Sequence, residues 1–177
     1  TYRYRNKVSW QIVNKSLGYY QAGTNKLVKI HACKLISQKM EEATNRLRDL
    51  LVEMPLTAKS NMIMRESSAD GKIMLILTNL TKELDEEIKG KLSGIVDILY
   101  VNYLNEIKYT KIFGSDKINE VAQGVKILLS PGAFYQVNHS QMEKIIEILE
   151  EYLTLKKDDI LLDAYCGVGS LSLPLAN

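Results

Sequence analysis

The sequence predicts an α+β domain with an antiparallel sheet, followed by the opening of a nucleotide-type α/β domain. Three observations carry this. Short alternating apolar runs and one strong hairpin signal fill the first two thirds of the chain. The pattern changes character near Gly124. An all-apolar run then meets a Gly-x-Gly turn and an apolar helix start, within 160–176. The expected domains are therefore 1–124 and 125–177.

The elements follow in order. Val8, Trp10 and Ile12 alternate with polar neighbours, the period of a half-buried strand. A second strand is expected over 17–21, a turn at Gly23-Thr24-Asn25, and a third strand at Leu27, Val28 and Ile30. Met40, Ala43, Leu47, Leu50, Leu51 and Met54 recur at helical spacing, and Pro55 stops the run. Strands at 62–67 and 72–78 flank Asp70-Gly71, a hairpin signature. A second helix is expected from Thr81, as N-cap, through Leu84, Ile88 and Leu92 to Gly94. Strand-like runs at 95–104, 106–112 and 125–129 come next, the last ending in the turn Ser130-Pro131-Gly132. Asn138 with Gln141 forms a capping box, opening a helix expected to bury Ile145, Ile146, Leu149, Tyr152 and Leu153. Residues 160–164 read as a buried parallel strand.

Composition bounds the function. Of 177 residues, 46% are apolar and 25% charged, enough for one ordinary domain or two small ones. Ten glycines and three prolines are too few for a low-complexity chain. No apolar run approaches the roughly 18–20 residues of a membrane helix, so a soluble chain is expected. Two cysteines cannot staple a domain of this size, which favours a reducing, cytoplasmic setting. Thr1 in place of a methionine, and a final helical pattern without a cap, suggest that both ends are cut.

The net charge of +2 conceals an asymmetry. Residues 1–40 hold eight basic groups (Arg3, Arg5, Lys7, Lys15, Lys26, Lys29, Lys34, Lys39) and no acid before Glu41. Tyr2, Tyr4, Trp10, Tyr19 and Tyr20 are interleaved with them. Cations among flat rings suit RNA or single-stranded DNA, whose bases stack. The same residues also suit a solvated sheet face over an aromatic core.

The stretch 163–170 is the most informative. A buried strand, a Gly-x-Gly turn and a helix form a cradle for an adenosine-containing cofactor: the glycines turn tightly and helix-terminal N–H groups face the ligand. Ser172 stands where a dinucleotide fingerprint has its third glycine. Spacing alone does not choose between a nicotinamide and S-adenosylmethionine, and a purely structural turn has the same form.

Four blocks carry a resemblance. LLDAYCGVGSLSLPLA resembles the S-adenosylmethionine loop of the RNA uracil-C5 methyltransferases, and SPGAFYQVNHSQMEKI resembles the segment before it. YRYRNKVSW and LGYYQAGTNKLVKIHAC resemble the opening of that family's central domain. The resemblance implies a central RNA-facing domain followed by the start of a Rossmann-like α/β methyltransferase domain. In that chemistry a cysteine thiolate adds to carbon 6 of uracil, the resulting enolate takes the methyl at carbon 5, and a carboxylate removes the carbon-5 proton. The family's nucleophilic cysteine and base lie downstream of the cofactor loop, so no catalytic residue is expected here. Cys166 belongs to the loop instead, and the chain alone is expected to be inactive.

By the same resemblance Gln136, Tyr165, Gly167, Gly169 and Ser170 are the cofactor-binding positions, Ser170 replacing an asparagine or threonine. Arg3, Arg5 and Lys7 are the expected RNA contacts. Cys33 occupies the place of a late iron–sulfur ligand, although Lys34 replaces the usual proline and one thiolate cannot hold a cluster. His31 and His139 lack metal-ligand partners at useful spacing. The implied substrate is ribosomal RNA before transfer RNA. The rival readings are a nicotinamide-dependent oxidoreductase and a non-catalytic RNA-binding module. Without its neighbouring strands, the segment 155–177 is expected to be disordered or buried by self-association.

Overall fold

The computed structural model describes residues 2–176. A mixed seven-stranded sheet organises the molecule, built from β1 (Lys7–Val13), β2 (Ser16–Tyr20), β3 (Leu27–Lys29), β4 (Lys59–Glu66), β5 (Ile73–Leu80), β6 (Ile98–Tyr103) and β7 (Thr110–Phe113). Their spatial order is β3-β2-β1-β4-β5-β6-β7. Two helices, α1 (Gln38–Leu50) and α2 (Glu86–Ser93), accompany it. A two-stranded unit, β8 (Ile118–Ala122) and β9 (Val125–Leu129), precedes helix α3 (His139–Leu153) and a short 3-10 turn at Pro174–Ala176.

Alternation along the strands feeds two cores on opposite faces. Trp10, Met62, Met64, Leu75, Leu77 and Val101 pack with Met40 and Leu47 of α1 and Ile88 and Leu92 of α2. Met74, Ile76, Ile98 and Tyr100, the residues between, pack under Ile118, Ile127, Leu129, Tyr135, Met142 and Ile146. β5 is therefore covered on both sides, and all its residues but Asn79 are buried.

Five expectations need correction. The sheet is not wholly antiparallel, because β5 and β6 pair in parallel. Helix α2 lies between them in the chain and supplies the crossover that a parallel pair requires. That helix is capped by Asp85, whose carboxylate accepts from the Ile88 N–H, and not by Thr81. The Thr81 hydroxyl and amide both donate to the Pro55 carbonyl instead.

Strand β8 has no counterpart in the sequence reading. It pairs with β9 across Gly124, so the expected boundary falls within a hairpin turn. Finally, residues 160–164 form no strand, and Ile160 and Leu162 are 96% and 85% exposed. No neighbouring strand offers backbone partners there among the described residues, and a run that is apolar but for Asp163 has nothing to pair with. Helix α3 starts as expected on the Asn138 side chain, but it buries only Met142 and Ile146. Ile145 and Tyr152 are exposed, and Leu149 is half-buried.

Candidate cofactor-binding site

The site is built from two segments, the loop 130–138 and the glycine turn. Tyr135 anchors the first, with its ring buried and its hydroxyl donating to the Val121 carbonyl at 3.4 Å. Its neighbours Phe134 and Gln136 face another way: Phe134 is exposed, and both line a hollow of about 110 Å³. The backbone of this loop is held from the sheet side. Asn6 donates its amide N–H to the Val137 carbonyl at 2.9 Å and its side-chain Nδ2 to the Gln136 carbonyl at 3.3 Å.

The second segment turns at Cys166, where the Gly169 N–H donates back to the Cys166 carbonyl at 2.7 Å. Gly167 and Gly169 both adopt positive φ, 55° and 72°, which a side chain would strain. A Cβ on Gly169 would also meet the Leu173 side chain at 2.8 Å. The turn brings Tyr165, Gly167 and Ser170 to the same hollow as Gln136, together with Asp163, Cys166, Val168 and Leu171. Four of the five expected cofactor positions thus line one cavity, while Gly169 is buried. Through Asp163, Tyr165 and Leu171 that cavity adjoins an open apolar hollow of about 350 Å³.

The donor set fits an adenosine-containing sulfonium ligand. The Gln136 amide donates and accepts, suiting an amino-acid tail, and the apolar hollow suits a ring. Tyr165 is 98% exposed, so its ring stands open to whatever occupies the cradle.

Of the expected RNA contacts, Arg3 is exposed but paired within the protein, while Arg5 and Lys7 are half-buried. Arg3 pairs with Glu41 at 2.5 Å and donates to the Ile36 carbonyl. The Arg3 hydrogen bond holds the Glu41 carboxyl below its usual range, against a smaller opposing effect of burial. Arg5 is half-buried, with Nε enclosed and unpartnered. Lys7 lies opposite Arg65 in the β1–β4 ladder; burial first, then the Arg65 charge, lowers its ammonium pKa. Lys26, Lys29, Lys34 and Lys39 are also exposed, Lys34 lying 5.6 Å from the Tyr2 ring centroid. Cys33 is half-buried in a separate small pocket beside Trp10 and His31, with its N–H donated to Glu41. No group of three metal-binding side chains occurs among the described residues.

Sequence reasoning missed a buried polar cluster next to the site. Arg65 and Glu120 approach to 3.6 Å with side chains 6% and 0% exposed. The guanidinium lies 5.8 Å from the Tyr135 ring centroid and donates to the Ala133 carbonyl at 3.4 Å. Glu120 accepts from the Ser68 N–H and hydroxyl at 3.0 and 2.5 Å. Burial chiefly, and then the Glu120 charge, pushes the Tyr135 phenol far above its usual value. The inward acid of β8 is the signal that could have revealed the cluster, since Glu120 sits on the face that Ile118 and Ala122 bury.

The mixed sheet with its helices is similar in fold to a methyltransferase of known structure. The solved tRNA (uracil-54, C5)-methyltransferase of Pyrococcus abyssi, in complex with S-adenosyl-L-homocysteine, superposes with a TM-score of 0.78 at 21% identity. The match covers 98% of this chain and 46% of that one. Curated relatives agree with the resemblance seen in the motifs. A protein of Clostridium tetani named an uncharacterized RNA methyltransferase is 28% identical over 99% of this chain and 44% of its own length. One of Streptococcus agalactiae with the same description is 29% identical over 98% and 43%. The chain spans less than half the length of the curated relatives it matches. No family model matches. No helix among the described residues is long and apolar enough to cross a membrane.

Proposed function

We propose that this chain is the central domain and cofactor-loop portion of an S-adenosylmethionine-dependent RNA (uracil-5-)-methyltransferase. The observation that carries the reading is the convergence of Gln136 with Tyr165, Gly167 and Ser170 on one cavity, from segments about 30 residues apart. When bound, the cofactor supplies an electrophilic methyl group on sulfur. Gln136 orients its amino-acid tail through the side-chain amide, while the positive-φ glycines let the backbone approach without a Cβ. Cys166 lines the same turn, its thiol next to the Gly167 carbonyl, and serves the loop and not the addition to uracil. The adding cysteine and the base belong to sequence outside these 177 residues, and the chain by itself does not turn over. The central sheet faces RNA through Lys26, Lys29 and Lys34, whose exposure leaves their charge available to phosphates.

Ribosomal RNA is the proposed substrate from the motif resemblance; transfer RNA is the second reading, favoured by what the solved neighbour methylates. Both place the protein in the cytoplasm. An iron–sulfur cluster involving Cys33 remains part of the proposal only with further cysteines from elsewhere. The test is transfer of labelled methyl from S-adenosylmethionine by the complete protein to purified 23S rRNA and to bulk tRNA. Label in 5-methyluridine of the ribosomal RNA supports the first reading, and label only in tRNA supports the second. Absence of 5-methyluridine in both overturns the assignment.

A further inference from the structure

We propose that Arg65, ion-paired with Glu120 at 3.6 Å, is a positioning residue that sets the orientation of Gln136 by fixing the backbone on the far side of Tyr135. This rests on the cofactor reading of Gln136. Four observations support it. Arg65 sits mid-sheet on β4, whose backbone is paired on both sides, by β1 and by β5, so its starting point is rigid. Its guanidinium reaches the loop twice, at the Ala133 carbonyl and over the Tyr135 ring. Glu120 is enclosed and held by Ser68, so the cation faces a fixed anion and not water. Tyr135 is buried, which leaves Phe134 and Gln136 lining the cavity.

The physical logic is a peg and a lever. Tyr135 is the peg, driven between the sheet and β8; Gln136, one residue on, is the lever that meets the ligand. A buried ion pair is a costly way to gain stability, and apolar residues of similar volume often do as well or better. What apolar residues cannot do is donate to a carbonyl and set the azimuth of the backbone beyond it. Asn6 completes the clamp from the other side by donating to the Gln136 carbonyl. The two donors thus bracket Tyr135, one at Ala133 and one at Gln136. A lost bracket lets the amide of Gln136 swing, and small misplacements of a binding group cost large factors in function.

The experiment separates stability from position. Arg65→Met alone leaves Glu120 buried and unpaired and is expected to destabilise the protein. The double variant Arg65→Met with Glu120→Leu removes both charges, restoring the melting temperature to near wild type. Two readouts follow on the complete protein. Amide hydrogen exchange at 133–137 is expected to accelerate about tenfold or more in the double variant, while α1 amides stay unchanged. S-adenosylhomocysteine affinity, by calorimetric titration, is expected to fall about tenfold. Exchange and affinity both unchanged in a double variant that melts normally would overturn the inference. If wild type fails to bind S-adenosylhomocysteine, the cofactor reading falls, while the exchange comparison still decides whether Arg65 orders the loop.

Discussion

The face of the sheet under α1 and α2 differs sharply from the segment beyond α3. On that face Trp10, Ile12, Met40, Leu47, Met62, Leu77 and Leu99 are almost wholly withdrawn from water. Beyond α3, the apolar Ile160, Leu162 and Tyr165 are among the most exposed residues of the molecule. Both regions carry large apolar side chains but keep unequal company. Strands β1, β4, β5 and β6 find partners on both edges and helices above, so their alternation becomes burial. Residues 160–164 lack those partners, and hydrophobicity alone builds no strand.

The largest way to sharpen this contrast is to hollow the finished side. Leu47→Ala removes a fully buried side chain of α1 and is expected to cost about 2–5 kcal/mol, read as a lower urea midpoint with unchanged slope. A cost below about 1 kcal/mol would mean that the α1 face is loosely packed. Next comes Gly18→Ala on β2. A Cβ there would lie 2.0 Å from the Val28 carbonyl oxygen, a backbone atom that cannot move without opening the β2–β3 pairing. The expected cost is about 1–3 kcal/mol, with faster exchange confined to the β2–β3 edge. Unchanged exchange there would show that the close approach is not maintained in solution.

A third test uses pH at the tip of the β4–β5 hairpin. Burial alone would raise the Asp70 pKa, but hydrogen bonds from Ser67, Lys72 and Asn119 more than offset it and bring it to about 2. The folded value lies below the ordinary 3.8, so the contribution is complete above that value and is lost as pH falls from about 4 toward 2. Asp70→Asn is expected to cost about 1 kcal/mol at neutral pH, the partial exposure of the carboxylate limiting the effect. The difference from wild type should narrow as pH falls through about 2 and close only below it; a constant difference across the window would assign the effect to lost geometry and not to charge.

How much of this was legible follows from how local each signal is. The alternation of Val8, Trp10 and Ile12, the Asp70-Gly71 turn and the Asn138 cap are set by neighbours in sequence, and the structure has them. The start of α2 was misread because Thr81 and Asp85 are equally good caps locally. The choice is made by Pro55, whose carbonyl takes the Thr81 hydroxyl from 26 residues away. β8 was invisible for a related reason. Glu120 breaks its apolar face, and the cation that makes an inward acid tolerable comes from Arg65, far back in the chain. The proposed cofactor positions were readable only as a motif; the meeting of four of them at one cavity depends on the loop that Tyr135 and Asn6 hold. The basic residues were readable as charge, but the pairing of Arg3 with Glu41 was not, the two lying 38 residues apart.

The smallest expected effect tests the unfinished side. Leu162 is 85% exposed, and among the described residues no hydrogen bond anchors its segment beyond the short turns at Lys156–Asp159 and Asp163–Tyr165. Burial that does not exist cannot be lost, so Leu162→Ser is expected to change the stability of the isolated chain by less than about 0.5 kcal/mol. The same change removes apolar surface that invites contact between copies, beside the open hollow that Leu161, Leu162, Leu171 and Leu175 line. Sedimentation should therefore show weaker self-association while the thermal midpoint stays put. If the midpoint instead drops by several degrees and scales with protein concentration, the segment is already buried between copies. The contrast between the two regions would then belong to the single chain and not to the assembly.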